Sequence, residues 1–266
     1  MSEVSIFPPA IRRDYRTHAR NYARVLADRE RSAKTDPWDY YGSSLREFNS
    51  QFHRVLKKGK IESLLIDINR FAERQPVCID LAGQGQYFYD LYDKGINISA
   101  GLSVCLGHNT HHLDRVLPGK LNIYTHMDGD LMEDHTWDNI KSWCAENGSA
   151  DLMTLAPVGG SEFLWDWNRT YRYSNRMFRH EHIHCKLSFF IHMKQALSLL
   201  NIGGSLLVAC ENYTIRSWLL FCEPWLKLPY NLHIITTPER NVMRLIKTEP
   251  SPNPDIGNVK LIQVVS

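Results

Sequence analysis

The sequence lacks several features that would assign it to a functional class at once. It has no run of about 18 apolar residues, so we expect no transmembrane helix. Its six cysteines form no C-x-x-C pair, no zinc-type ligand spacing occurs, and there is no P-loop. No Ser-His-Asp or Cys-His arrangement stands out. We therefore expect neither a disulfide framework nor a resident metal.

An excess of charge of one sign is also missing, since the formal net charge of the 266 residues is only +2. The total charge therefore does not decide whether nucleic acid is a partner. The N-terminus lacks the pattern of a secretory signal peptide. With its scattered cysteines, the chain is expected to be reduced, intracellular (cytoplasmic or nuclear) and not secreted.

Positive charge is concentrated near the N-terminus. Between Arg12 and Lys34 there are eight Lys/Arg against three acids. Four of these arginines share one face of a predicted helix: Arg12, Arg16, Arg20 and Arg24. Such a helix either binds phosphate backbones or is a solvated amphipathic helix.

Short apolar segments alternate with amphipathic segments along most of the chain. Such alternation predicts an α/β fold, a Rossmann-like doubly wound and mostly parallel sheet. We expect an N-terminal helical extension over residues 1–75, packed on a Rossmann-like core domain over residues 76–266. Asn201–Gly204 is predicted to end a helix before a strand that starts at Ser205.

The stretch Val77–Phe88 (VCIDLAGQGQYF) has the pattern of a buried strand, an acidic residue, a glycine turn and a helix start. Glycines let backbone N–H groups approach a ligand, and a helix N-terminus adds further donors. The alternative is a structural turn of the kind common in α/β proteins.

Other candidate residues follow other predicted strands. In a doubly wound sheet, ligands bind beyond the carboxyl ends of the strands. Asp80, the Gly83/Gly85 turn, Ser103, Asp130 and Thr154 all fall at that edge. The sequence thus predicts one binding site there.

In their order along the chain, four segments resemble the class I S-adenosylmethionine-dependent methyltransferases. The segments are Asp80–Gly85, Gly129–Leu131, Asp151–Pro157 and Leu199–Val208. Within that class the chain looks most like the FtsJ-like (RrmJ-type) RNA ribose 2′-O-methyltransferases, over roughly residues 76–248.

The resemblance implies S-adenosylmethionine as cofactor. The loop Ala82–Gln86 would meet its methionine carboxylate, Asp80 would hold the turn or reach the ammonium through water, and Asp130 would accept from the adenine amino group. The implied cofactor-binding residues are Asp80, Ala82, Gly83, Gln84, Gly85, Ser103, Asp130, Leu131 and Thr154.

The catalytic half of that family's pattern is degenerate here. The family uses a Lys-Asp-Lys-Glu tetrad, in which a lysine of lowered pKa deprotonates the ribose hydroxyl. Ala209 occupies the position that matches this lysine, while Glu239 or Asn241 matches the final acid, and Lys57, Lys58 or Lys60 the first lysine. Replacement groups would be His184, Lys186, Lys194 or Glu211.

An aromatic and basic segment after the strand predicted at Ala150–Ala156 is the candidate substrate surface. Its arginines Arg169, Arg172 and Arg176 alternate with aromatic residues, as in proteins that stack RNA bases. The alternative is a long loop whose aromatics pack onto the domain. The nearby His180–Cys185 segment lacks metal-ligand spacing and is expected to be solvated.

The expected function is therefore S-adenosylmethionine-dependent methylation of RNA, with RNA as a partner. A catalytically silent relative that binds RNA or a protein partner is the first alternative, motivated by Ala209. A small-molecule methyltransferase that needs no lysine base is the second.

Overall fold

The computed structural model describes most of a central sheet and several of its flanking helices. The described residues are 44–81, 83, 85–105, 123–129, 131, 134–155, 193–209, 228–238, 242–249 and 260–265. Their strands are β1 (Val77–Leu81), β2 (Ala100–Cys105), β3 (Tyr124–Asp128), β4 (Ala150–Leu155), β5 (Leu200–Ala209), β6 (Asn231–Thr236), β7 (Val242–Thr248) and β8 (Lys260–Val264).

These strands form one sheet in the order β3-β2-β1-β4-β5-β7-β6-β8. Every neighbouring pair is parallel except the two that involve β7, which runs antiparallel to both β5 and β6. The predicted α/β class with a mostly parallel sheet is therefore confirmed. The carboxyl ends of β1, β2 and β4 meet at one edge, where the sequence places the candidate site.

Helices cover both faces of the sheet. They are α1 (Leu45–Phe52), α2 (Ile61–Ala72), α3 (Gln86–Asp93) and α4 (Asp134–Asn147), and residues 193–198 are also helical. No described helix is both long and apolar enough to cross a bilayer.

Alternate residues of the central strands belong to two separate apolar clusters. Cys78, Leu152 and Leu207 pack with residues of α1, α2 and α3, and we call this side the α1 face. The intervening strand residues pack with α4 and with helical residues 193–198, on the side that we call the α4 face. Since side chains alternate along a strand, Asp80 and Thr154 lie on the α1 face.

A capping box fixes the start of α1. The Ser44 hydroxyl accepts from the Glu47 N–H, and the Glu47 carboxylate accepts from the Ser44 N–H, both at 3.3 Å. The sequence predicts that this helix continues to about Lys57, but it ends at Phe52. Lys57–Gly59 instead forms a 3-10 turn in which Lys58 has φ 62°.

A buried carboxylate joins α1, α2 and the end of α3. Glu62 accepts from Asn49 Nδ2 at 2.6 Å and from Lys94 Nζ at 2.5 Å. Burial raises the pKa of Glu62, but these hydrogen bonds outweigh it and hold the pKa below its ordinary value. Asn49 Oδ1 also accepts from the Ile61 N–H at 2.8 Å, so the amide orients both helices.

At the amino edge of the sheet, Asp151 ties three strands together. Its carboxylate accepts from both terminal nitrogens of Arg74, from the Val77 N–H at 3.0 Å and from Asn201 Nδ2 at 2.9 Å. Hydrogen bonding to Asp151 raises the pKa of Arg74. Asp151 thus stabilises the starts of β1, β4 and β5, at the opposite edge from the candidate site.

The expected helix end at Asn201–Gly204 is wrong, because β5 already begins at Leu200. The pairing of β4 with β5 shifts register between Ala150 and Leu152, and Gly203 has φ 81°. A Cβ on Gly204 would lie 2.9 Å from the Asn201 carbonyl oxygen and 3.0 Å from that of Ala150. The glycine pair therefore forms a bulge inside the strand rather than a helix terminus.

Candidate functional site

The Asp80 carboxylate organises the turn between β1 and α3. Asp80 Oδ2 accepts from the Gly85 N–H at 2.9 Å, and Oδ1 accepts from the Thr154 hydroxyl at 2.6 Å. Asp80 is 0% exposed. Its carboxylate therefore fixes the turn from below rather than presenting a charge to solvent.

Gly83 packs directly against this carboxylate. A Cβ built on Gly83 would overlap Asp80 Oδ2 and would lie 2.6 Å from Oδ1. Asp80 cannot move aside without breaking its bonds to Gly85 and Thr154. Glycine is therefore required here by close approach.

Gly85 is the N-cap of α3 and has φ 68°, a conformation that favours glycine. A Cβ on it would also lie 2.7 Å from Phe88 Cδ2 and 3.0 Å from Ser103 Cβ. The residue immediately before α3 is therefore required to lack a Cβ.

Thr154 brings β4 into the site. It pairs in register with Asp80 and is 0% exposed, and its hydroxyl spans the two strands. Its contact in the structure is the Asp80 carboxylate, so Thr154 supports the turn that the sequence predicts as cofactor-binding.

Thr154→Val should lower the free energy of unfolding by about 2 kcal/mol, because it removes a hydrogen bond to a buried charged group. Thr136→Val is the matched control, since the Thr136 hydroxyl is buried and has no hydrogen-bond partner within the described ranges. We expect that control to be neutral or slightly stabilising. Urea denaturation of both variants measures the difference, and equal losses would show that the Asp80 contact contributes nothing.

Ser103, on β2, connects the Asp80 row to β3. It pairs in register with Asp80 on one side and with His126 on the other. Its hydroxyl is hydrogen-bonded to His126 Nδ1, and Tyr89 Oη lies 3.3 Å from His126 Nε2. His126 is a site neighbour that the sequence argument missed, although it stands at the end of a predicted strand at this same edge.

Tyr87 places an unused polar atom under the turn. Its hydroxyl is buried and meets the geometric criteria for a hydrogen bond with no described residue, although it lies close enough to Thr154 to interact with that side chain. Burial raises the pKa of the phenol well above its ordinary value, so Tyr87 is neutral. It acts as a packing residue of the α1 face.

Leu131 lies at the carboxyl edge beyond β3. Leu131 is 5% exposed, and its carbonyl oxygen accepts a hydrogen bond from Trp137 Nε1 at 2.7 Å. This bond anchors the start of the segment that leads into α4.

Ala209, the position that matches the central lysine of the family that the sequence resembles, is buried. Ala209 is 0% exposed and belongs to the same apolar cluster as Phe52 and Val242. Lys57 is exposed in the 3-10 turn after α1, and Lys194 is exposed on the helix that packs on the α4 face. The structure therefore does not bring Lys194 to the row that contains Asp80 and Thr154.

Other predicted site residues lie outside the described part of the chain. They are Ala82, Gln84, Asp130, Arg169, Arg172, Arg176, His184, Lys186, Glu211 and Glu239. Within the described ranges, no group of three His, Cys, Asp or Glu is arranged to hold a metal ion.

No family model matches the sequence, and no curated protein matches it significantly. A candidate S-adenosylmethionine-dependent methyltransferase from Streptococcus mutans is 12% identical, with 69% of this chain and 47% of that chain covered and a TM-score of 0.41. An O-methyltransferase family protein from Burkholderia thailandensis is 15% identical, with 78% and 60% covered and a TM-score of 0.36. A candidate hemolysin from Streptococcus thermophilus is 10% identical, with 77% and 68% covered and a TM-score of 0.37. With scores below 0.5, these matches carry no argument about function.

Proposed function

We propose that this chain is an S-adenosylmethionine-dependent methyltransferase. The observation that carries the proposal is the strand order, with antiparallel β7 inserted between β5 and β6. Without β7, the first six strands have the order of the dinucleotide-binding fold. The inserted antiparallel strand is typical of the class I methyltransferases that the sequence resembles.

The glycine turn after β1 supports the cofactor assignment. It lies at the carboxyl end of a central strand and leads into the N-terminus of α3, where main-chain donors and the helix dipole favour an anionic group. In this proposal the turn receives the methionine carboxylate, Asp130 accepts from the adenine amino group and Leu131 packs against the ring. In this proposal Asp80, which is fully buried, positions the turn.

We propose RNA as the methyl acceptor. S-adenosylmethionine, when bound, supplies an electrophilic methyl group, and the protein must orient and deprotonate the acceptor. The arginines Arg169, Arg172 and Arg176 follow β4 in the sequence, and their aromatic neighbours suit base stacking. Because Ala209 provides no base, a ribose hydroxyl would need another one, and Glu211 follows it by two residues.

A second candidate function is that of an RNA-binding module without catalysis. The observation in its favour is the burial of Ala209 among apolar residues. A missing general base typically costs about 10²–10⁴ in rate. Methyl transfer to RNA would exclude this candidate, and transfer only to small acceptors would favour the small-molecule alternative.

The full-length protein should bind S-adenosylmethionine in a calorimetric titration, and Asp130→Ala should weaken that binding about tenfold or more, because a charge-assisted hydrogen bond is lost. Asp138→Ala is the control, since Asp138 is exposed on α4 and pairs with Lys141. We expect it to bind like the wild type. A folded wild-type protein that shows no binding would contradict the proposed function.

A further inference from the structure

Arg244, on β7, is a cation without an acidic partner in the described part of the chain. Its side chain is half-buried on the α1 face, and Nε donates to the Ser205 hydroxyl at 3.0 Å. Ser205 is 0% exposed, so this bond holds the guanidinium plane in place. The two terminal nitrogens have no acceptor among the described residues.

A second unused polar group lies on the same face. His233 Nε2 is buried and has no hydrogen-bond partner among the residues that the structure describes. In the β6–β7 register, His233 pairs with Ile246 and Ile235 pairs with Arg244. Residues 244 and 246 share a face, so His233 is the diagonal neighbour of Arg244, at about 7–8 Å between backbones.

A half-buried guanidinium without an anion and a buried imidazole nitrogen without a hydrogen bond are both energetically unfavourable. Burial lowers the pKa of Arg244, which reflects the cost of holding its charge away from water. A guanidinium in such a place is usually paired with an oxyanion, which its paired N–H groups bind in a bidentate manner.

We propose that Arg244 and His233 form a binding site for a phosphate group on the α1 face. The guanidinium edge offers two donors in one plane, and the imidazole, as its Nε2–H tautomer, offers a third from the neighbouring strand. Donors from two directions suit a tetrahedral oxyanion better than a planar carboxylate. Arg244 is two strands from Thr154 in the same row of the sheet, about 10 Å away, so this site is separate from the glycine turn.

The proposal predicts how the Arg244→Met variant should behave. This substitution keeps the apolar part of the side chain and removes its charge. In phosphate-free buffer this variant should melt at the same temperature as the wild type or higher, because it removes a half-buried charge that has no acidic partner among the described residues. Inorganic phosphate should raise the melting temperature of the wild type in a saturable way, by several degrees at a roughly hundredfold excess over Kd. Arg244→Met should not respond.

The controls separate specific binding from general salt effects. Sodium chloride at matched ionic strength accounts for screening, and Arg70→Met removes an exposed arginine that stacks on Phe71. Arg70→Met should keep the full phosphate response. His233→Phe should weaken phosphate binding about tenfold, which corresponds to losing one hydrogen bond.

Two results would overturn the proposal. One is an equal phosphate response in the wild type and Arg244→Met. The other is an Arg244→Met variant that is destabilised without phosphate and a wild type that does not respond, since Arg244 would then be satisfied within the chain. If Arg244→Met does not fold, Arg244→Lys tests the same point, because it keeps the charge and loses the paired donors.

Discussion

Gly83→Ala is expected to lower the free energy of unfolding by about 3 kcal/mol or more and to abolish cofactor binding. The added methyl group would overlap the Asp80 carboxylate, which is held by Gly85 and Thr154. Relief of the overlap requires breaking at least one of these two bonds. The turn would then lose the geometry that presents its main-chain donors.

Gly95→Ala is the matched control for this prediction. Gly95 has φ 69°, but no atom of the described part of the chain lies within 4 Å of an added Cβ, so its substitution measures backbone strain. We expect a loss of about 1 kcal/mol there, with no effect on binding. Chemical denaturation and calorimetry with S-adenosylmethionine measure the two effects separately.

A double-mutant cycle tests the cause. If the collision with Asp80 is responsible, Gly83→Ala should cost far less in an Asp80→Ala background than in the wild type. Additive losses in the two backgrounds would show that Gly83 matters for some other reason. The cycle tests the turn geometry whether or not the proposed cofactor is correct.

Asp151→Ala should cost about 3 kcal/mol of stability while leaving the carboxyl edge of the sheet intact. The side chain is 6% exposed and accepts four hydrogen bonds, so its removal leaves the Val77 N–H without its acceptor and takes one of two acceptors from the Asn201 amide, which still donates to the Ser149 carbonyl at 2.8 Å. Arg74 is 44% exposed and can turn to solvent, which limits the loss.

Asp138→Ala provides the comparison for the Asp151 prediction. The Asp138–Lys141 pair on α4 is exposed at both partners, and such pairs contribute about 0–1 kcal/mol. Urea denaturation should therefore separate the two aspartates clearly. A loss for Asp151→Ala no larger than that for Asp138→Ala would contradict its proposed role in joining β1, β4 and β5.

The alternation of apolar strands and amphipathic helices was sufficient to predict the sheet and most of its strands. Short apolar runs predict strands at Leu232–Thr236 and Val242–Thr248, and β6 and β7 begin within one residue of these starts. The bulge at Gly203–Gly204 was not predictable, because a glycine pair after a helical pattern is also a common helix terminus. Only the register between Ala150 and Leu152 distinguishes the two.

The candidate site was predictable in position but not in detail. Strand ends fix which residues share an edge, so Asp80, Ser103 and Thr154 do lie in one row. Their partners depend on register across separate strands, so neither the Asp80–Thr154 bond nor the His126 contact follows from spacing. The burial of Ala209 likewise depends on where α1 packs.

The strand pairing also has a consequence for the kinetics of folding. The hydrogen bond between Asp80 and Thr154 joins residues 74 positions apart, whereas only five residues separate β6 from β7. Closing a long loop costs more chain entropy, and non-local parallel pairing is slow. The β6–β7 hairpin can therefore form early, while the glycine turn acquires its final geometry only when β1 meets β4. A nascent or partly refolded chain would therefore contain the β6–β7 hairpin before its glycine turn has the geometry needed to bind a ligand.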